Sequence, residues 1–174
     1  MAKKTSSNDA SKQPMNTNMI WNKDVKVKMR DGVHLCIDVY HPGEPGKKFP
    51  VLLASALHNK DIQSPDAVND LPAQPAWSSL WMGVMEAGDT RYLISNGYGH
   101  VIANPRGIGK SEDGPPSDTD YYDLIEWIAE QPWCDGNVGM IGISGYAGEQ
   151  FVAAAQQPPH LKAIFPYDAA SCYG

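Results

Sequence analysis

The stretch Val138-Gly139-Met140-Ile141-Gly142-Ile143-Ser144-Gly145-Tyr146-Ala147-Gly148 decides how this chain folds. Residues 138–143 form an apolar run punctuated by two glycines, the pattern of a strand covered on both faces. Residues 146–156 follow at once as an Ala- and Gln-rich helix that stops before Pro158-Pro159. Between them a serine stands in a turn of small residues, which lets strand and helix approach closely. A strand passing so directly into a helix implies strand–helix alternation, and hence a mostly parallel sheet with helices on both faces.

The flanking sequence carries the same alternation. Val25, Val27 and Met29 alternate with Lys26 and Lys28, and Val33, Leu35, Ile37 and Val39 alternate after Arg30-Asp31-Gly32, so an N-terminal β-hairpin is expected. Residues 49–54 read as a buried strand, 57–75 as a long polar loop, and 77–87 as a short helix with Trp77, Leu80, Trp81 and Val84 on one face. A helix over 90–95 ends at the cap signal Asn96-Gly97, and a strand follows over 100–103. After the glycine-rich loop 105–116, Ser117 with Asp120 resembles a capping box. It opens a helix with Tyr121, Leu124, Ile125 and Ile128 on one face, which Gln131-Pro132 stops. Asp135-Gly136-Asn137 reads as a turn and 161–166 as the last strand; there is no internal repeat.

Bulk properties narrow the function. A chain of 174 residues with 42% hydrophobic content suits one domain, or a piece of one, with a genuine core. Its net charge of -6, with no basic cluster beyond Lys3 and Lys4, argues against nucleic acid. Cys36, Cys134 and Cys172 form no Cys-x-x-Cys pair, which fits free thiols in a reducing compartment; Cys172 also leaves room for an intermolecular bridge. Residues 1–19 lack the apolar region of a secretory signal and read as a disordered tail ahead of a folded unit over 20–174. No run is apolar enough to span a membrane, so the expected location is the cytoplasm. His34, His41 and His100 are too dispersed for a metal site, and no cofactor is expected. Gly109-Lys110-Ser111 resembles the end of a phosphate-binding loop, but Asn104 stands where that motif needs glycine. Lys110 and Ser111 therefore read as loop residues.

Ser144 is the candidate nucleophile. A serine on a sharp strand-to-helix turn presents its hydroxyl at the sheet edge, and the backbone N–H of the next residue, Gly145, points toward a developing oxyanion. The positive end of the helix dipole reinforces this placement. The strict Gly-x-Ser-x-Gly pattern is not met, because Tyr146 occupies the second glycine position.

The chain resembles the cocaine-esterase-like and X-prolyl dipeptidyl-peptidase-like α/β-hydrolases, the CocE/NonD group. Met29-Arg30-Asp31-Gly32-Val33, Asn96-Gly97-Tyr98, residues 104–112, and the block 122–144 through Trp133-Cys134-Asp135-Gly136-Asn137-Val138-Gly139-Met140 carry the resemblance, which covers nearly everything after residue 20. It implies an α/β-hydrolase fold and hydrolysis of ester or amide bonds, of acyl or X-prolyl type, through an acyl-enzyme on Ser144. Two positions depart from the family. Gly145 and Ala147 stand where Tyr and Gly are usual, and His58 replaces the Tyr whose hydroxyl helps form the oxyanion hole. An imidazole N–H can also donate to an oxyanion, although a solvent-facing loop histidine reads the same way in sequence.

In α/β-hydrolases the triad order is Ser, then Asp or Glu, then His. The one histidine after Ser144 is His160, which is expected on a surface loop at the far end of the sheet; Asp168 follows a strand and is expected nearer the site. The sheet is therefore expected to be truncated after the strand that follows the nucleophile helix. A missing C-terminal segment or second chain is expected to supply Asp and His, with this chain inactive alone. Arg106 is expected to brace its loop, and Tyr121 and Tyr122 to pack the helix. The alternative is a non-catalytic remnant or interaction module that keeps the fold.

Overall fold

The computed structural model describes residues 18–67 and 86–169. The tail up to residue 17, most of the expected 77–87 helix and Cys172 lie outside the described residues.

Six strands form one sheet in the order β1-β2-β4-β3-β5-β6. Strands β1 (Met19–Lys28) and β2 (His34–Pro42) are the expected hairpin, antiparallel in register from Met19 opposite Pro42 to Lys28 opposite His34. Gly32 turns it with φ +95°, a conformation open to glycine without Cβ strain. Strand β2 also runs antiparallel to β4 (Gly99–Asn104). From there the sheet is parallel: β4 beside β3 (Phe49–Ser55), β3 beside β5 (Cys134–Ile143), and β5 beside β6 (Leu161–Tyr167). Strand β5 starts earlier than its apolar run predicts. Asp135-Gly136-Asn137, expected as a turn, lies within it, where the pairing with β3 skips from Cys134 to Val138; the register with β6 shifts just after, between Val138 and Gly139.

Side chains alternate across the sheet and build two cores. Val51, Leu53, Val101, Ala103, Val138 and Met140 pack on one face against Leu124, Ile125 and Ile128 of α2 (Thr119–Ala129) and Ala153 of α3 (Gly145–Ala155). Ala54, Ile102 and Ile141 pack on the other against Leu93 and Ile94 of α1 (Thr90–Ser95). Helices thus lie on both faces.

Two local expectations are corrected. The start of α2 is not a capping box: Asp118 is its N-cap and makes no side-chain cap bond. Asp120 instead receives a fork from Arg106, at 2.7 and 2.6 Å, and Arg106 also reaches Asp31 at 2.6 Å. A bidentate guanidinium–carboxylate pair outcompetes a single bond back to the backbone, and it makes Arg106 the brace of its loop. The described part of the 57–75 loop is not irregular throughout, for Lys60–Gln63 forms a short 3-10 turn capped by the Asn59 side chain on Asp61 N–H.

At the far side of the sheet, β6 stands at the edge with Phe165 and Tyr167 at 56% and 55% exposure. Cys36 and Cys134 are buried free thiols, each with its pKa pushed up chiefly by burial. Among the described residues no helix is long and apolar enough to cross a membrane.

Candidate active site

The parallel strands β3, β4 and β5 all end at one edge of the sheet, and the residues beyond their C-terminal ends gather there. This is where an open α/β sheet binds its ligand. Ser144, directly after β5 and at the N-cap of α3, has φ 56° and ψ −114° and is exposed. Such a backbone is strained for a residue with a Cβ and persists only when its surroundings enforce it. Four hydrogen bonds do so here. Ile143 N–H donates to Glu86 carbonyl at 2.9 Å, Ser144 N–H donates to Tyr167 carbonyl at 3.2 Å, and Ser144 carbonyl accepts from Ala147 and Gly148 N–H at 3.1 and 3.0 Å.

The glycines around the turn differ in what they must do. Gly142 has φ +145°, and a Cβ there would lie 2.3 Å from Tyr146 Cβ and 3.0 Å from Glu86 carbonyl oxygen. It is the glycine the turn cannot give up. A Cβ on Gly145 would meet only Ala56 Cβ at 3.8 Å, an ordinary contact. Glycine at 145 in place of the usual Tyr therefore leaves the turn intact, and the fully buried Ala147 is accommodated in place of Gly. The N–H groups of Gly145 and Tyr146 belong to the first turn of α3, where no intrahelical acceptor exists. They face the positive end of the helix and suit an anion.

The structure brings His58 to this site. It lies just beyond β3, its ring stacked on Tyr146 with centroids 6.2 Å apart and planes 23° apart. Tyr146 hydroxyl donates to His58 carbonyl at 3.4 Å, and His58 Nε2 is 3.4 Å from Glu86 Oε2. Asp168 follows β6 at the same edge, next to the Tyr167 carbonyl that holds Ser144. His160 stands at the opposite edge. Its carbonyl accepts from Val138 N–H, and its Nδ1 is 2.7 Å from Glu126. It is remote from Ser144, as its loop position implied.

Two features escaped sequence reasoning. The first is Glu86, which the chain delivers to the turn from a segment with no motif of its own. The second is the buried charge cluster under the His58 loop. Lys60 Nζ meets Asp24, Asp38 and Asp61 at 2.8, 2.9 and 2.8 Å, with the Lys60 and Asp38 side chains fully buried. Burial alone would lower the Lys60 pKa, but the three carboxylates outweigh it and raise it above the usual lysine range. Asp24 is pulled well below the carboxylate range, chiefly by Lys110 and then by Lys60. One signal was present: Asp38 interrupts the otherwise coverable run Cys36-Ile37-Asp38-Val39-Tyr40, and a buried acid requires a buried cation.

Beside the turn, at the same sheet edge, lies a cavity of about 290 Å³ lined by Leu57, Leu124, Ser55, Tyr121, Arg106 and Glu149. Burial, and then the neighbouring Glu149 carboxylate, push the Tyr121 hydroxyl pKa above its usual range. Among the described residues no cluster of His, Cys, Asp and Glu has the makings of a metal site.

The sheet order, the strained serine turn and the helix behind it define the N-terminal part of an α/β-hydrolase. Residues 31–173 match the model of the X-Pro dipeptidyl-peptidase (S15 family), and the chain belongs to that family. It is 36% identical over 147 residues to the cocaine esterase of Rhodococcus sp. (strain MB1 Bresler), a match covering 82% of this chain and 22% of the esterase. A CocE/NonD family hydrolase from Staphylococcus aureus superposes with a TM-score of 0.71 at 34% identity, covering 85% of this chain and 27% of that one. An α-amino acid ester hydrolase does so with a TM-score of 0.64 at 25% identity, covering 94% and 26%. The chain thus spans about a quarter of the length of these relatives.

Proposed function

We propose that this chain carries the nucleophile of a serine hydrolase acting on ester or amide bonds. The observation that carries the reading is Ser144 itself, exposed on a strained turn that strand β5, helix α3 and two neighbouring carbonyls hold in place. In the proposed reaction Ser144 Oγ attacks the acyl carbonyl carbon and its proton passes to a histidine. Gly145 N–H and His58 stabilise the carbonyl oxygen as it becomes an oxyanion. The alcohol or amine leaves with a proton, and water then cleaves the acyl-enzyme by the same route.

The aspartate and histidine of the triad are assigned to a segment downstream of this chain or to a second chain. The order Ser, Asp, His in this fold supports that assignment, and so does β6, an edge strand of the described sheet on which Phe165 and Tyr167 present exposed aromatic side chains that a further segment could cover. The chain alone is then expected to turn over no substrate. The names of the relatives point to esters, α-amino acid esters and X-prolyl peptides as the candidate substrate classes.

A fluorophosphonate probe tests the reading. Ser144 is expected to take the label, with the Oγ–P bond forming as fluoride leaves, and Ser144→Ala is expected to lose it. A chain that stays unlabelled even when the downstream segment is supplied is a non-catalytic relative instead.

A further inference from the structure

Glu86 is placed in a way the proposed chemistry has not yet used. Its Oε2 is buried and has no hydrogen-bond donor within bonding geometry among the described residues. His58 Nε2 lies 3.4 Å from it. A buried carboxylate oxygen without a donor is costly, so something must hold it there, and the backbone does. Glu86 carbonyl takes the Ile143 N–H, one residue before the nucleophile. The next residue, Ala87, is clamped on both sides. Its N–H donates to Gln63 Oε1 at 3.1 Å, and its carbonyl accepts from His100 Nε2 at 3.1 Å. The Glu86 side chain therefore starts from a fixed point on the wall of the serine turn.

His58 is restrained from two other directions. Tyr146 sets the plane of its ring by stacking and holds its backbone through the hydroxyl bond to the His58 carbonyl. Glu86 meets one edge of the ring at Nε2. A second sign that the Glu86 charge is felt here comes from Tyr146, whose hydroxyl is pushed above the usual phenol range by burial first and by Glu86 next.

We propose that Glu86 is a positioning residue for His58: its Oε2, 3.4 Å from Nε2 but outside bonding geometry, takes the Nε2–H once the ring turns toward it, which fixes the ring's tautomer and orientation and leaves Nδ1 as the nitrogen that meets the acyl oxygen. The chemical consequence is definite. A neutral imidazole with its hydrogen on Nε2 has a bare lone pair on Nδ1 and cannot donate from it. Donation to an oxyanion from Nδ1 requires the imidazolium, which forms a charge-compensated pair with Glu86. A tyrosine hydroxyl in the same place would need no such partner. The inference rests on the reading of His58 as an oxyanion donor and adds the residue that makes a histidine serviceable there.

The test has one arm that is independent of catalysis. Side-chain 1H–15N spectra of the purified chain report which imidazole nitrogen of His58 carries hydrogen. The expected signature is hydrogen on Nε2 in the parent chain alone, and on both ring nitrogens once the probe is bound. In Glu86→Ala, and in Glu86→Leu, which fills the same space without an acceptor, the preference is expected to collapse to averaged tautomers. Glu86→Gln keeps an acceptor and is expected to restore it. A parent chain with hydrogen predominantly on Nδ1 overturns the proposal. So does an unchanged signature in whichever of Glu86→Ala and Glu86→Leu retains a native backbone spectrum.

The second arm reads fluorophosphonate labelling. The maximal labelling rate is expected to fall about 10- to 100-fold in Glu86→Ala, while the probe concentration giving half that rate moves less than about 3-fold. Equal rates in the parent and Glu86→Ala sink the positioning role. Absence of label in the parent, or label surviving Ser144→Ala, counts against the serine reading instead, and the spectra still decide the Glu86 question.

Discussion

Replacing Lys60 with methionine should be among the most damaging single changes in this chain. The side chain keeps its length and loses its charge, so what remains is Asp38 with no exposed surface and no cation. Two donors stay with that carboxylate: Asp24 N–H at 2.9 Å and Tyr40 hydroxyl at 3.2 Å. They cannot replace a full charge. Breaking a buried pair by removing one partner costs about 3–5 kcal/mol, and Asp24 and Asp61 each lose their lysine contact as well. For a chain of this size that corresponds to a fall in Tm of about 6–20 °C. The decisive comparison is the double variant Lys60→Met with Asp38→Asn, which removes the stranded charge along with the lysine. If the uncompensated carboxylate is what matters, the double variant regains at least half of the loss in thermal or urea unfolding. A single variant within about 1 kcal/mol of the parent, or a double variant no better than the single, refutes the reasoning. The same cluster holds the start of the 3-10 turn, where Lys60 N–H also donates to Asn104 Oδ1 at 2.6 Å. His58 sits two residues before it, so the lysine change should also slow fluorophosphonate labelling.

Three further outcomes are expected. His100 is buried, donates to Ala87 carbonyl through Nε2 and accepts from Thr90 hydroxyl through Nδ1, and burial lowers its pKa from 6.5 to about 4. The depressed value means its stabilising contribution is complete above pH 6.5 and is lost as pH falls toward 4. At about 1.4 kcal/mol per unit the loss reaches about 3 kcal/mol, so unfolding followed between pH 7 and pH 4 should show it, and His100→Gln should flatten that part of the profile. Gly142→Ala should destabilise the chain by about 2–5 kcal/mol through overlap with Tyr146 and an unfavourable φ, whereas Gly145→Ala, with free space around it, should stay within about 1 kcal/mol in the same denaturation assay. His160→Gln removes a half-exposed pair with Glu126 at the opposite sheet edge, so fluorophosphonate labelling of Ser144 should be unchanged.

Much of this architecture can be read from residue spacing because the signals are local. The alternation across 25–39 gives the hairpin, and the apolar runs at 49–54 and 138–143 give central strands that are covered on both faces. Asn96-Gly97 ends α1 where its chemistry requires, with Gly97 at φ +81°. Local signals fail where a distant group competes for the same atom. Ser117 and Asp120 have the spacing of a capping box, but Arg106 takes the aspartate, and nothing within four residues announces that. Asp135-Gly136-Asn137 has turn composition but is carried within β5, where the pairing with β3 skips from Cys134 to Val138. The site divides in the same way. Ser144 and Gly145 are legible because strand, turn and helix are contiguous. Glu86 is illegible because its position depends on hydrogen bonds to β5 and β4, which sequence spacing does not encode.

The restraints on the serine turn can be followed one step further. Each of them lies within the described residues: β6 holds Ser144 N–H, the Glu86 segment holds Ile143 N–H, and Gly142 allows α3 to close over both. Strain at a catalytic turn persists only when the surroundings over-determine it. Here three separate elements do so without any residue after Asp168. The geometry of the Ser144 turn is therefore a property of this part of the fold, and the downstream segment proposed above is not required for its shape. Refolding this chain alone should give the Ser144 turn its native backbone shifts, including those of a positive φ, before any partner is added. A Ser144 region that acquires those shifts only on addition of a downstream segment would place the strain, and the means of supporting it, in the partner instead.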